Sequence, residues 1–353
     1  MDQSRKTCVT YVAADCGSII PGKSRAAAAF KTVDIYRRLV EAGVNVIDID
    51  PSQFPDSDGP APGPDVLDGE VTYKPSPFVP GNIRNRTGNL ELLRRVRKKV
   101  TVNFQAEPRA FQLVLGGECC MLPAILSSVK QEYQDSTIGL IYIDADTDLH
   151  SPLDDDWKGY FASMVSKLQT QEEREPNTDF TMTQLMARPG AISDESEGTR
   201  DPVLAREKLC DSTNTVFFGT NLPHPGNKPK HLAYLDDEHF KVISSEAVAN
   251  HPEGRANEAL EHLEQNKVEA IWVHLDIDSI DPGEFPLANV PNFTGVAFQT
   301  MMQALTVLMA STNVVGLSIA EVNPDHDPDL AMTTMLTKEI VSMLARRELG
   351  HSF

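Results

Sequence analysis

Four short apolar runs in this chain stop at acidic or thiol-bearing clusters, and that recurrence constrains the fold more than any other feature. Residues 111–115 run into Gly116-Gly117-Glu118-Cys119-Cys120, and residues 138–143 into Asp144-Ala145-Asp146-Thr147-Asp148. Residues 268–275 lead to Asp276-Ile277-Asp278-Ser279-Ile280-Asp281-Pro282, and residues 314–319 to Glu321-Val322-Asn323-Pro324. The runs are rich in β-branched residues and short enough to be buried strands. Further strand-like runs lie at 8–12, 44–49 and 216–219. Segments of helical period separate them, at 26–42, 90–100, 121–134, 256–265, 299–310 and 334–347. Strands alternating with helices predict βα units around a parallel sheet covered on both faces. In such sheets a ligand sits beyond the carboxyl ends of the strands, which is where all four clusters fall.

The 353 residues are expected to form one α/β domain spanning 1–353, since α/β folds of this size often stay undivided. No apolar run approaches the length that spans a bilayer. The first residues lack the apolar core and cleavage site of a secretory leader, and the five cysteines are an odd number, as suits a reducing compartment. A cytoplasmic location is the expectation. A formal net charge of −19 argues against nucleic acid, whose phosphates need clustered Lys and Arg. The one basic run, Arg94 to Lys99, reads as a solvated helix face. The negative potential favours cationic ligands. The stretch 51–88, without period, reads as a long surface excursion, and the polar stretch 171–200 as a partly disordered segment; both are expected to be specificity loops.

Carboxylates gathered at adjacent strand ends repel one another unless a cation or protons neutralise them, and oxygen-rich sites suit Mg²⁺, Mn²⁺ or Ca²⁺. An EF-hand loop starting at Asp144 is excluded, because Leu149 and Asp155 stand where Gly and Glu are required. A phosphatase of the haloacid-dehalogenase type would want Thr or Val where Asp148 stands.

These residues resemble the arginase/agmatinase ureohydrolases, whose motifs read Gly-Gly-Asp-His-Ser, Asp-Ala-His-x-Asp, Asp-x-Asp-x-x-Asp-Pro and Glu-Val-Asn/Ser-Pro. All four occur here in the same order, and the last two are close matches. The resemblance implies a three-layer α-β-α arginase-like fold with a mostly parallel sheet. It also implies two divalent ions sharing a hydroxide that attacks a guanidinium carbon. Mn²⁺ is the expected ion, with Zn, Fe or Ni as alternatives and a single-metal or metal-free site as further ones. By position the ligands would be Cys119, Asp144, Asp146, Asp148, Asp276 and Asp278, with Glu321 orienting the substrate. His150 is the expected acid–base group, and the catalytic residues are then Glu321, His150 and Asp148.

Two departures bear on this. Cys119 and Asp146 stand where the family has histidine. Five carboxylates and a thiolate around two divalent ions leave about two surplus negative charges, which costs several kcal/mol unless relieved. A protonated Cys119, a cationic substrate or a thiolate-preferring ion would relieve it. Three readings therefore stay open: a metal-dependent C–N hydrolase acting on a small, cationic guanidino or amidino compound; a metal-deficient binding or regulatory subunit; and thiol chemistry at Cys119 or Cys120. Association into a homo-oligomer is a further expectation.

Overall fold

The computed structural model describes residues 6–47, 65–66, 83–151, 154–156, 158–164 and 209–348. Apart from 65–66 and 83–88, the stretches 51–88 and 171–200 lie outside them. The strands are β1 (Thr7–Val12), β2 (Val46–Ile47), β3 (Asp65–Val66), β4 (Phe111–Leu115) and β5 (Ile138–Ile143). After them come β6 (Thr215–Thr220), β7 (Lys241–Ser244), β8 (Ala270–Asp276) and β9 (Val314–Ala320). They form one sheet in the order β2-β1-β4-β9-β8-β5-β6-β7, with β3 continuing the edge beside β1. Every pairing among them is parallel.

The helices are α1 (Ala26–Thr32), α2 (Ile35–Glu41), α3 (Arg86–Ala106), α4 (Leu122–Glu132) and α5 (Pro229–Asp237). Then follow α6 (Ser245–Asn250), α7 (Pro252–Gln265), α8 (Phe298–Ala310) and α9 (Ala331–Glu348). Alternate strand residues divide between two cores. Leu113, Ile141, Val273 and Leu317 face the core shared with α1, α2 and α6 to α9. Val114, Tyr142, Trp272 and Val315 face the core shared with α3, α4 and α5. A parallel sheet buried on both faces accounts for strands that read as continuous apolar runs. No helix of the described residues is long and apolar enough to cross a membrane.

The register places the site. Leu115 pairs with Ile319, Ile319 with Leu275, and Leu275 with Ile143. The neighbouring strands β4, β9, β8 and β5 therefore end level, and motifs separated by long stretches of sequence project from one rim. Gly116 and Gly117 make the turn off β4 with φ of +93° and +78°. A Cβ at Gly116 would stand 2.9 Å from the Val12 carbonyl oxygen, so only glycine allows that approach.

The structure departs from the sequence reading in places. The helix expected over 26–42 is broken: the Val33 and Asp34 amides close α1 on Ala29 and Lys31, and Asp34 is left-handed (φ 61°) before α2 starts. The break lets Phe30, Ile35 and Leu39 all reach the core. The basic run is not all solvated, because Lys99 is buried and Arg97 reaches across to Gln131 on α4. Elements α5, β7 and α6 were not legible.

Candidate metal centre

Backbone amides aim the carboxylates. Asp276 accepts the amide of Asp278 at 2.8 Å, and Asp144 accepts that of Asp146 at 2.7 Å. Asp278 in turn accepts the amide of Ala145 at 3.4 Å, joining the turns after β5 and β8. Asn227 clamps the β5 turn from the far side, accepting from the Thr147 amide and donating to the Ala145 carbonyl. Asp148 (φ 48°) and Glu321 (φ 64°) both adopt left-handed backbone, which marks these turns as held by their surroundings.

Three of the six expected ligands come together. Donor atoms of Cys119, Asp144 and Asp276 all lie within 4.8 Å of one another. Burial, then the charges of Asp278, Asp276, Asp148 and Asp146, pushes Asp144 well above the usual carboxylate range. Asp276 and Asp278 are raised by burial and by their acidic neighbours, and Asp148 by burial first, against the Tyr142 hydroxyl that donates to it at 2.5 Å. Asp144 Oδ2 is buried with no hydrogen-bond partner among the described residues. An orphaned carboxylate oxygen among mutually repelling acids fits a divalent cation; Asp144 and Asp276 are placed to hold one, Asp148, Asp278 and Asp146 are the acids nearest them, and Cys119 could join as a thiolate.

Both departures from the histidine pattern carry their own compensation. Burial and then the Asp276 charge push the Cys119 thiol up, so it stays protonated and donates to Asp276 Oδ2 at 2.7 Å. Asp146 meets His224, from the turn after β6, at 2.7 Å, and that hydrogen bond raises the His224 pKa. The Cys119 proton removes one of the two surplus charges inferred from the ligand count, and the Asp146 carboxylate has an imidazole partner whose protonation it favours.

A chain of hydrogen bonds holds Cys119 from behind. The Trp272 indole can only donate, and Ser318 Oγ accepts it at 2.9 Å. Ser318 then gives its proton to His274 Nδ1 at 2.7 Å, leaving Nε2–H to face the Cys119 sulfur at 3.1 Å. Burial holds His274 down to about 3, so the ring is neutral, and it stacks on Tyr142 at 5.3 Å.

Glu321 is reached by a cation that sequence reasoning missed. Lys23, 1 % exposed, places Nζ 2.8 Å from Glu118 and 3.1 Å from Glu321. The other Glu321 oxygen accepts the Cys119 amide at 3.1 Å. His150 lies off this cluster, with Nδ1 3.5 Å from Asp154 and its ring against His231. Asp327 accepts the Met332 and Thr333 amides at the start of α9.

A model of the arginase family matches residues 21–345. The chain belongs to the arginase family. An arginase of Staphylococcus aureus (strain MRSA252) is 22 % identical over 248 residues, which are 69 % of this chain and 71 % of that one. The arginase of Bacillus caldovelox superposes with a TM-score of 0.72 at 16 % identity, covering 99 % of both chains. Proclavaminate amidino hydrolase from Streptomyces clavuligerus superposes at 0.60 with 17 % identity, over 98 % of this chain and 93 % of that one. At such identities the superpositions establish the arginase fold alone.

Within that family the thiol reading loses ground. All five cysteines are free and buried, and burial followed by the Glu118 charge pushes Cys120 well up. Reactive thiols are exposed and low in pKa, and these are neither. His224, Asn227 and Lys23 carried no sequence signal, since each lies in aperiodic sequence and meets its partner far along the chain.

Proposed function

We propose that this protein hydrolyses a C–N bond in a guanidino or amidino small molecule, using a divalent cation held by the acidic centre. The observation that carries the reading is the buried Asp144 Oδ2, without a hydrogen-bond partner among the described residues and surrounded by carboxylates that repel one another unless a cation lies between them. A bound divalent ion supplies the Lewis acidity that lets water attack at neutral pH. Asp144, Asp148, Asp276 and Asp278 would hold it, with Asp146 beside them; Cys119, protonated and donating to Asp276, would join only by giving up that proton to the metal. Glu321, held by Lys23 and the Cys119 amide, would orient a cationic substrate. Proton handling we assign to His224, because its ring bonds an acid of the centre, whereas His150 is drawn to Asp154 and His231.

Family membership and the amidino hydrolase neighbour support the substrate class, and the negative centre favours a cationic compound. Mn²⁺ is the ion of choice for the four oxygen ligands. The test is a panel of guanidino and amidino compounds offered to metal-stripped protein reloaded with Mn²⁺, with released urea, ammonia or amine measured. Turnover that needs the metal and is lost in Glu321→Gln supports the proposal. A folded, metal-loaded protein that turns over none of the panel rejects it.

One observation favours a second reading, a binding or regulatory subunit without turnover. The Lys23 ammonium rests on Glu321, where a substrate guanidinium would have to bind. A compound bound in calorimetry without release of product would support this reading.

A further inference from the structure

Outside the acidic centre, the segment after β5 and the first turn of α5 bring together donors of different chemistry. His150, Asp154 and His231 each offer a ligand atom, and the three atoms lie within 4.8 Å of one another. His150 Nδ1 is 3.5 Å and His231 Nε2 3.7 Å from the same oxygen, Asp154 Oδ2. Both are long for hydrogen bonds. They are close to the separation of about 3.4 Å that two donors adopt around a tetrahedral ion with bonds of about 2.1 Å.

His231 supplies an independent observation. It is 4 % exposed, and neither ring nitrogen has a hydrogen-bond partner among the described residues. A buried imidazole bears an uncompensated desolvation cost unless something takes its lone pair. The ring packs edge-on against His150, with centroids 4.7 Å apart, so both imidazoles converge on Asp154.

Competing contacts are few and can yield. Lys230 holds Asp154 Oδ1 at 2.6 Å, but its side chain is half exposed and can swing into solvent. The Ser151 amide donates to Oδ2 at 2.9 Å and leaves that oxygen a free lone pair. Lys228 is engaged with Asp156 at 3.0 Å.

We infer that His150, Asp154 and His231 form a second cation site, for Zn²⁺ or a similar borderline ion, separate from the acidic centre. Two imidazoles and one carboxylate are a donor set that Zn²⁺ takes with a fourth position left open, whereas the carboxylates of the centre favour harder ions. The site ties the segment after β5 to α5, on the flank of the Asp146–His224 pair. It stands whether or not the acidic centre is catalytic.

The test uses the full chain, stripped of metal, with Asp276→Asn to weaken the acidic centre. Zn²⁺ is titrated by calorimetry, and Co²⁺ is used as a spectroscopic probe of coordination. The variant is expected to take up one equivalent of Zn²⁺ and to give the visible spectrum of low-coordinate, nitrogen-ligated Co²⁺. Adding His231→Gln or His150→Gln should abolish both. Lys230→Ala should tighten Zn²⁺ binding several-fold by removing the competing ammonium, an effect that a purely structural role for these residues would not produce. Should either histidine variant fail to fold, the other and Lys230→Ala decide. No Zn²⁺ uptake by Asp276→Asn, or uptake that survives both histidine changes, overturns the inference.

Discussion

The Lys23 ammonium lies 3.1 Å from Glu321 Oε2, within a pocket that leaves the lysine 1 % exposed. A charge so placed persists because Glu118 and Glu321 both face it, and their charges outweigh the burial that would push its pKa down. Replacing Lys23 by Met would strand two carboxylates. Breaking a buried pair from one side costs about 3–5 kcal/mol, and that loss is expected in urea denaturation. The double change Lys23→Met, Glu118→Gln should recover part of it. A Lys23→Met midpoint unchanged from the parent would show that the contact contributes nothing.

The acidic centre should trade stability for binding. Asp144→Asn removes one charge from a repelling set and keeps the oxygen that accepts the Asp146 amide. Metal-free Asp144→Asn is therefore expected to be more stable than the parent by roughly 0.5–2 kcal/mol. The parent should melt higher with millimolar Mn²⁺ by mass action, and the variant should lose most of that gain. Thermal melts of both proteins with and without Mn²⁺ check the two signs together. A variant less stable than the parent without metal would mean that the carboxylates do not repel as described.

How much of this could be read from sequence follows from what each part depends on. Asp144, Asp276, Glu321 and Cys119 were legible because each follows an apolar run, and level strand ends turn that order into proximity. The break between α1 and α2 was not, because Thr32-Val33-Asp34 holds neither Gly nor Pro and tertiary packing decides it. Lys23 and His224 lay hidden for a different reason. Their partners, Glu321 and Asp146, are joined to them only by the closing of the sheet. Residue type marked Asp146 as an anomaly, and only the fold supplied the imidazole that answers it.

Gly226 provides a way to disturb that answer without touching either partner. A Cβ there would lie 2.6 Å from Asp146 Oδ1 and 2.9 Å from His224 Nδ1. Gly226→Ala must therefore push the pair apart. The expected result is weaker Mn²⁺ binding in both Gly226→Ala and His224→Gln, by about tenfold, as when groups supporting metal ligands are removed. Calorimetry on the two variants and the parent measures it. Unchanged affinity in His224→Gln would mean that the Asp146 charge needs no offset.

The thiols give the sharpest separation between the open readings. Cys119 and Cys120 are 1 % and 0 % exposed, and burial is the first cause raising both. Cys119 is further committed, donating to Asp276 and lying against His274 Nε2. A thiol that attacks a substrate would have to give up its proton among carboxylates that oppose the resulting charge. Native protein is therefore expected to resist iodoacetamide at neutral pH, with all five thiols titrating only after denaturation. Ser318→Ala refines the point. It removes the oxygen that accepts the Trp272 indole and fixes the His274 tautomer, freeing His274 to turn its lone pair to the sulfur. Faster alkylation of Cys119 in that variant, read by peptide mass spectrometry, would show that the chain from Trp272 holds the thiol inert. Rapid alkylation of Cys119 or Cys120 in the parent, with loss of activity, would instead return the thiol to the centre of the chemistry.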